Sequence, residues 1–243
     1  MLPLLERRFD VLALDLPGFG HSPPLPAGVD PTPGALADAV EGAMDRAGFE
    51  SAHLAGNSLG GRIALELARR RRADTVVAIS PAGLQHAREK TWGANVLRGM
   101  RWLARHAPAP EAVLRNPLGR TLFAGPTAAR PWRMDPDELI EVTRLFAEAP
   151  GFDATLPLTF RHQPLGLDRI GVPVLVLWGT LDLILLPRQG RRFERVIPSC
   201  ELRYLKGLGH VPMSDDPELL AGQIEEFALA ARPSLAPRAA AQG

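Results

Sequence analysis

A serine set among glycines, an aspartate and a histidine lie far apart in this chain, and together they could perform nucleophilic chemistry. Gly56-Asn57-Ser58-Leu59-Gly60-Gly61 follows a short apolar run, Ala52-His53-Leu54-Ala55, and precedes a pattern that places Ile63 and Leu67 on one helical face. A serine at a sharp strand-to-helix turn presents its hydroxyl above the strand end, at the positive end of the following helix. Glycine at 56 and at 60 is expected on steric grounds, because a Cβ at either place would meet neighbouring backbone. A common glycine-rich turn shares the five-residue pattern; the strand before it and the helix after it separate the two readings. Serine is a poor nucleophile until an imidazole takes its proton and a carboxylate orients that imidazole. Asp182, in Gly179-Thr180-Leu181-Asp182, and His210, in Lys206-Gly207-Leu208-Gly209-His210, each follow an apolar run.

The elements that must carry these residues alternate. Consecutive apolar runs at Val11–Leu14, Ala52–Ala55, Thr75–Ile79, Val172–Trp178 and Leu202–Leu205 suit parallel strands buried on both faces. Helical patterns separate them. Thr32, Pro33 and Gly48 bracket one helix with Leu36, Val40 and Met44 inward, Thr32 serving as N-cap and Gly48 as the stop. A second runs from Gly60 to Arg70, and a third starts at Asp216-Pro217 with Leu220, Ile224 and Phe227 inward. Such alternation predicts an α/β fold, a parallel sheet with helices on both faces. In open sheets of this kind, functional groups gather beyond the carboxyl ends of the strands, where Ser58, Asp182 and His210 all fall. One interval breaks the rhythm. Residues 81–170 contain helical stretches, at Asn95–His106 and Asp135–Phe146, but no convincing strand. Connections in compact α/β domains run to about 2–6 residues outside their helix, so this interval reads as an inserted helical cap.

These blocks, in this order, resemble the α/β-hydrolase family, whose Asp-x-x-Gly-x-Gly-x-Ser block is matched by Asp15-Leu16-Pro17-Gly18-Phe19-Gly20-His21-Ser22. The resemblance implies Ser58 as nucleophile, Asp182 as acid and His210 as general base. Leu59 would supply an oxyanion-hole N–H, with Gly56, Asn57 and Gly60 forming the elbow. It implies a discontinuous core at 1–80 and 171–232, the cap at 81–170, and no cofactor. The implied reaction is hydrolysis of a small to medium carboxylic ester through an acyl-enzyme. Carbon–carbon bond hydrolysis of a vinylogous diketone is the alternative, since the Gly-Asn-Ser elbow resembles some members of that branch. An inactive relative that only binds ligand is a third reading. Serine at the elbow argues against haloalkane dehalogenase and epoxide hydrolase, whose family members use aspartate there. The family pattern also places three strands and a His-Gly loop before the run at Val11–Leu14, needing roughly 30–45 residues. Only eight residues precede Phe9, so the resemblance leads to the expectation that the native protein starts upstream. An in-frame stop codon directly before Met1 would overturn it.

Other polar residues have plainer readings. Asp15 is expected to bond its own loop, and Asp215 or Asp216 to cap the final helix. Trp92, Trp102 and Trp132 suit packing within the cap, and Arg69–Arg72 a solvated helix end.

Composition bounds the rest. The 243 residues carry a formal charge of +1 and are 46% hydrophobic, which predicts a globular domain with no bulk attraction to nucleic acid or anionic membrane. Cys200, the single cysteine, cannot form an intramolecular disulfide, and no Cys/His cluster has metal-ligand spacing. The expectation is a soluble, cytoplasmic protein acting on a small-molecule, ester-like substrate. The Ala/Pro-rich tail at 233–243 reads as disordered.

Overall fold

A computed structural model describes residues 1–107 and 109–230; the tail expected to be disordered lies outside the described residues. A short helix α1 (Leu2–Leu5) and helix α2 (Pro33–Arg46) precede strand β1 (Ala52–Asn57). Helix α3 (Leu59–Arg69) leads to β2 (Ala73–Ile79). Then come five helices, α4 (Ala87–His106), α5 (Pro110–Leu114), α6 (Pro117–Ala124), α7 (Pro136–Glu148) and α8 (Phe152–Arg161). The chain closes with β3 (Val174–Gly179), α9 (Gly190–Val196), β4 (Cys200–Leu205) and α10 (Pro217–Ala230). All strand pairings are parallel, in the spatial order β1-β2-β3-β4.

Consecutive apolar residues in β2 and β3 divide between the two faces because side chains alternate along a strand. Val76, Ala78, Val174, Val176 and Trp178 pack with Leu65 of α3 and Phe193 of α9 on one face. Val77, Ile79, Leu175 and Leu177 pack with Leu5, Leu220 and Ile224 from α1 and α10 on the other. Thr32 caps α2 as expected, its hydroxyl accepting from the Ala35 N–H at 3.1 Å. The basic end of α3 is not simply solvated: Arg70 pairs with Glu66, Asp38 and Glu41, and Arg72 with Asp45, tying α3 to α2.

The run at Val11–Leu14 is a correction. It forms no strand, and Leu12 and Leu14 are 40% and 41% exposed. An apolar run becomes a strand only beside a partner that takes up its backbone N–H and C=O groups; no such partner flanks it among the described residues. Between β2 and β3 no strand occurs among the described residues, so the helical insertion is present as expected. No helix among them is long and apolar enough to cross a membrane.

Candidate active site

Ser58 sits between β1 and α3 with φ at 55°, a left-handed conformation costly for a residue with a Cβ and concentrated at functional turns. The turn is pinned to the end of β2: the Ser58 N–H donates to the Ile79 carbonyl at 2.8 Å, and the Ser58 carbonyl accepts from the Ala82 N–H at 3.1 Å. Gly56 is required as expected, because a Cβ there would overlap the Gly60 carbonyl. Gly60 is a correction: a Cβ there would meet nothing within 4 Å. The close approach belongs to Gly61, whose Cβ would lie 2.8 Å from the Gly56 carbonyl oxygen. As α3 begins its first turn, Leu59 has no intrahelical acceptor for its N–H, which leaves that donor free beside the serine.

Asp182 and His210 meet, although 28 residues separate them. His210 Nδ1 lies 2.7 Å from Asp182 Oδ2, with the two residues only 4% and 1% exposed. The other carboxylate oxygen accepts from the Ile184 and Leu185 N–H groups at 2.9 and 2.8 Å. A carboxylate oxygen accepts, so Nδ1 carries a hydrogen, and in the neutral tautomer Nε2 then has a lone pair for a proton. The residue beside the serine completes the arrangement: Asn57 Nδ2 donates to the Ile79 carbonyl at 3.2 Å and to the His210 carbonyl at 2.9 Å. The backbone of the imidazole-bearing residue is thereby fastened to the strand end that carries Ser58. No hydrogen bond joins the Ser58 hydroxyl to the His210 ring.

Sequence reasoning missed this Asn57 tie and a second one. Asp216 does cap α10, accepting from the Leu219 N–H at 2.9 Å. Asp215 instead accepts from the Gly209, Ala129 and Arg130 N–H groups at 2.8–3.0 Å. It therefore holds the residue before His210 against the insertion, where the Val211 N–H also donates to the Thr127 carbonyl. Both aspartates stand at the start of a helix, and spacing alone does not show that one turns back towards the insertion.

The remaining polar residues lie elsewhere. Asp15 bonds its own loop, accepting from the His21 N–H at 3.0 Å. His53 contacts Thr75, His86 caps α4, and His106 stacks on Trp102. His162 lines a groove of about 620 Å³ with Arg62 and Arg69, and none of Ser58, Asp182 and His210 borders it. Burial pushes Arg62 down to about 10, against the attraction of Glu66. The three insertion tryptophans are about half exposed or more, so they do not form its packed interior. Burial, with Glu194 and Glu201 nearby, pushes the Cys200 thiol up to about 12. Among the described residues no cluster of three or more His, Cys, Asp or Glu could hold a metal ion.

The comparisons with known proteins agree with this architecture. The chain is 34% identical to Epoxide hydrolase EphH of Mycobacterium tuberculosis over 205 residues, covering 79% of this chain and 94% of that protein. It is 25% identical to a Pimeloyl-[acyl-carrier protein] methyl ester esterase of Neisseria meningitidis, covering 93% and 86%. Among solved structures, a bacterial membrane phospholipase A superposes with a TM-score of 0.70 at 28% identity, covering 90% of this chain and 69% of that one. With residues 1–223 matching its family-wide pattern, the chain belongs to the Alpha/beta hydrolase family and is a hydrolase.

Proposed function

We propose that this hydrolase cleaves a small to medium carboxylic ester through an acyl-enzyme, with Ser58, Asp182 and His210 as its triad and residues 81–170 as a cap over the site. The supporting observation is the buried contact between His210 Nδ1 and Asp182 Oδ2, on a loop fastened beside the strained Ser58 turn by Asn57. In the proposed cycle the Ser58 hydroxyl attacks the ester carbonyl while His210 Nε2 takes its proton. Asp182 stabilises the resulting imidazolium. The developing oxyanion accepts from the Leu59 N–H at the positive end of α3. Collapse expels the alcohol, protonated by His210. Water, deprotonated by the same imidazole, then releases the acid.

An activity-based fluorophosphonate tests the nucleophile. Labelling of the native chain and none of Ser58→Ala is the expected result; an unlabelled native chain removes the catalytic reading and leaves a ligand binder. Turnover of p-nitrophenyl esters is expected to exceed that of a ring-cleavage dienoate, and the reverse order establishes carbon–carbon hydrolysis, which the Asn57-Ser58 elbow makes the second reading. An epoxide such as styrene oxide is expected to be inert, because the elbow offers a hydroxyl rather than a carboxylate.

A further inference from the structure

The loop bearing Asp182 is gripped from two sides. From the sheet, Trp178 Nε1 donates to the Leu185 carbonyl at 2.8 Å. From the insertion, Trp92 Nε1 donates to the Leu183 carbonyl at 2.8 Å. Between these two carbonyls lie the Ile184 and Leu185 N–H groups that hold Asp182 Oδ1. Three residues of α4 face this loop and its continuation. Glu89, Trp92 and Gly93 share one helical face at i, i+3 and i+4. A Cβ on Gly93 would lie 3.2 Å from the Ile184 carbonyl oxygen, so a larger residue would push the helix and the loop apart by a few tenths of an ångström. Glu89, 4% exposed, pairs with Arg188 at 2.7 Å and bidentately with Arg192 at 2.5 and 3.0 Å. Arg188 precedes α9 and Arg192 lies within it, so the ion pairs lock α4 onto the segment that follows the acid loop.

We infer that this face of α4 is a splint for the catalytic acid, and that Trp92 is a positioning residue: its indole N–H fixes the Leu183 carbonyl and, through the 183–185 turn, the direction in which Asp182 meets His210. The inference rests on the proposed triad. It makes the insertion part of the catalytic apparatus and not only a roof over the pocket. Losing the Trp92 hydrogen bond leaves substrate contacts in place and loosens the acid, so the damage belongs in kcat.

Trp92→Phe keeps a ring and removes the donor, and Trp102→Phe makes the same change on the exposed outer side of the same helix. With the full chain, the rate of fluorophosphonate labelling, kcat and KM for p-nitrophenyl butyrate, and the thermal midpoint are measured for each. Trp92→Phe is expected to lower kcat and the labelling rate about three- to tenfold, the value of one hydrogen bond, with KM unchanged and the thermal midpoint lowered by no more than about 2–4 °C. Trp102→Phe is expected to match the native chain. Unchanged kcat and labelling in Trp92→Phe, an equal loss in both variants, or a change confined to KM would overturn the splint while the triad stands. Absence of labelling in the native chain would overturn the triad itself, and the splint with it.

Discussion

Asn57 is the elbow residue whose side chain works across the sheet. Its amide spans the ends of β1 and β2 to reach the His210 carbonyl, so the proposed nucleophile and base share one fastening. Without this donor the Ile79 carbonyl keeps the Ser58 N–H but the His210 carbonyl loses its tie, at a cost of about 1–3 kcal/mol if it is left unpaired. Asn57→Ala should therefore lower the thermal midpoint and slow Ser58 labelling about tenfold. Asn57→Asp should be worse on both measures despite its matching shape, because a carboxylate oxygen then faces two carbonyl oxygens. An Asp variant equal to or better than Ala would show that the amide donates nothing of consequence. Ser58, Asp182 and His210, the proposed triad, stand out in the sequence because each comes shortly after an apolar run, and the end of a run is a local signal. The ties that hold them were not. Whether Gly60 or Gly61 is the tight glycine depends on how α3 leans on the strand end, and whether Trp92 meets the acid loop depends on a contact spanning 91 residues.

At the scale of elements, the junction of α4 with the core carries a pH signature. Burial raises the Glu89 carboxyl, but hydrogen bonds from Arg192, the His86 N–H and Arg188 outweigh this and hold it at about 2. Its folded-state value is thus below the ordinary carboxylate range, and the unfolded chain binds the proton more readily. The stability contributed by Glu89 is complete above about pH 4.5 and drains away as pH falls towards 2. Glu89→Gln should lower the unfolding free energy read from urea titration at pH 7, by up to about 3 kcal/mol for a buried pair that loses one partner. The gap between variant and native chain should narrow as the pH is taken from 5 to 3. A gap independent of pH would mean that the arginines hold Glu89 by shape and not by charge. The sequence gives Glu89 no distinction from the other acidic residues of the insertion, because its partners arrive from beyond β3.

The sheet as a whole came through from the sequence in strand count between Ala52 and Leu205, direction and helical flanking, since residues buried on both faces leave unbroken apolar runs. The run at Val11–Leu14 shows where that signal stops: apolarity says that a segment can be buried, and only a neighbour makes it a strand. Among the described residues no backbone carbonyl accepts from the amides of Val11 to Leu16. In hydrogen exchange they should lose protection within seconds, while Val76–Ile79 and Val174–Leu177, paired on both sides or at the sheet centre, should hold theirs longest. Protection of Val11–Leu14 comparable to that of β2 would place a partner strand beside it in solution.

The thiol of Cys200, partly buried and pushed up to about 12, remains protonated at neutral pH and so a poor nucleophile towards maleimides. That inertness turns the chain into a ready background for spectroscopy. A cysteine introduced on the outer side of α4, such as Trp102→Cys, would be the dominant site of modification. A single fluorophore there would report whether the helices between β2 and β3 move when an ester is added.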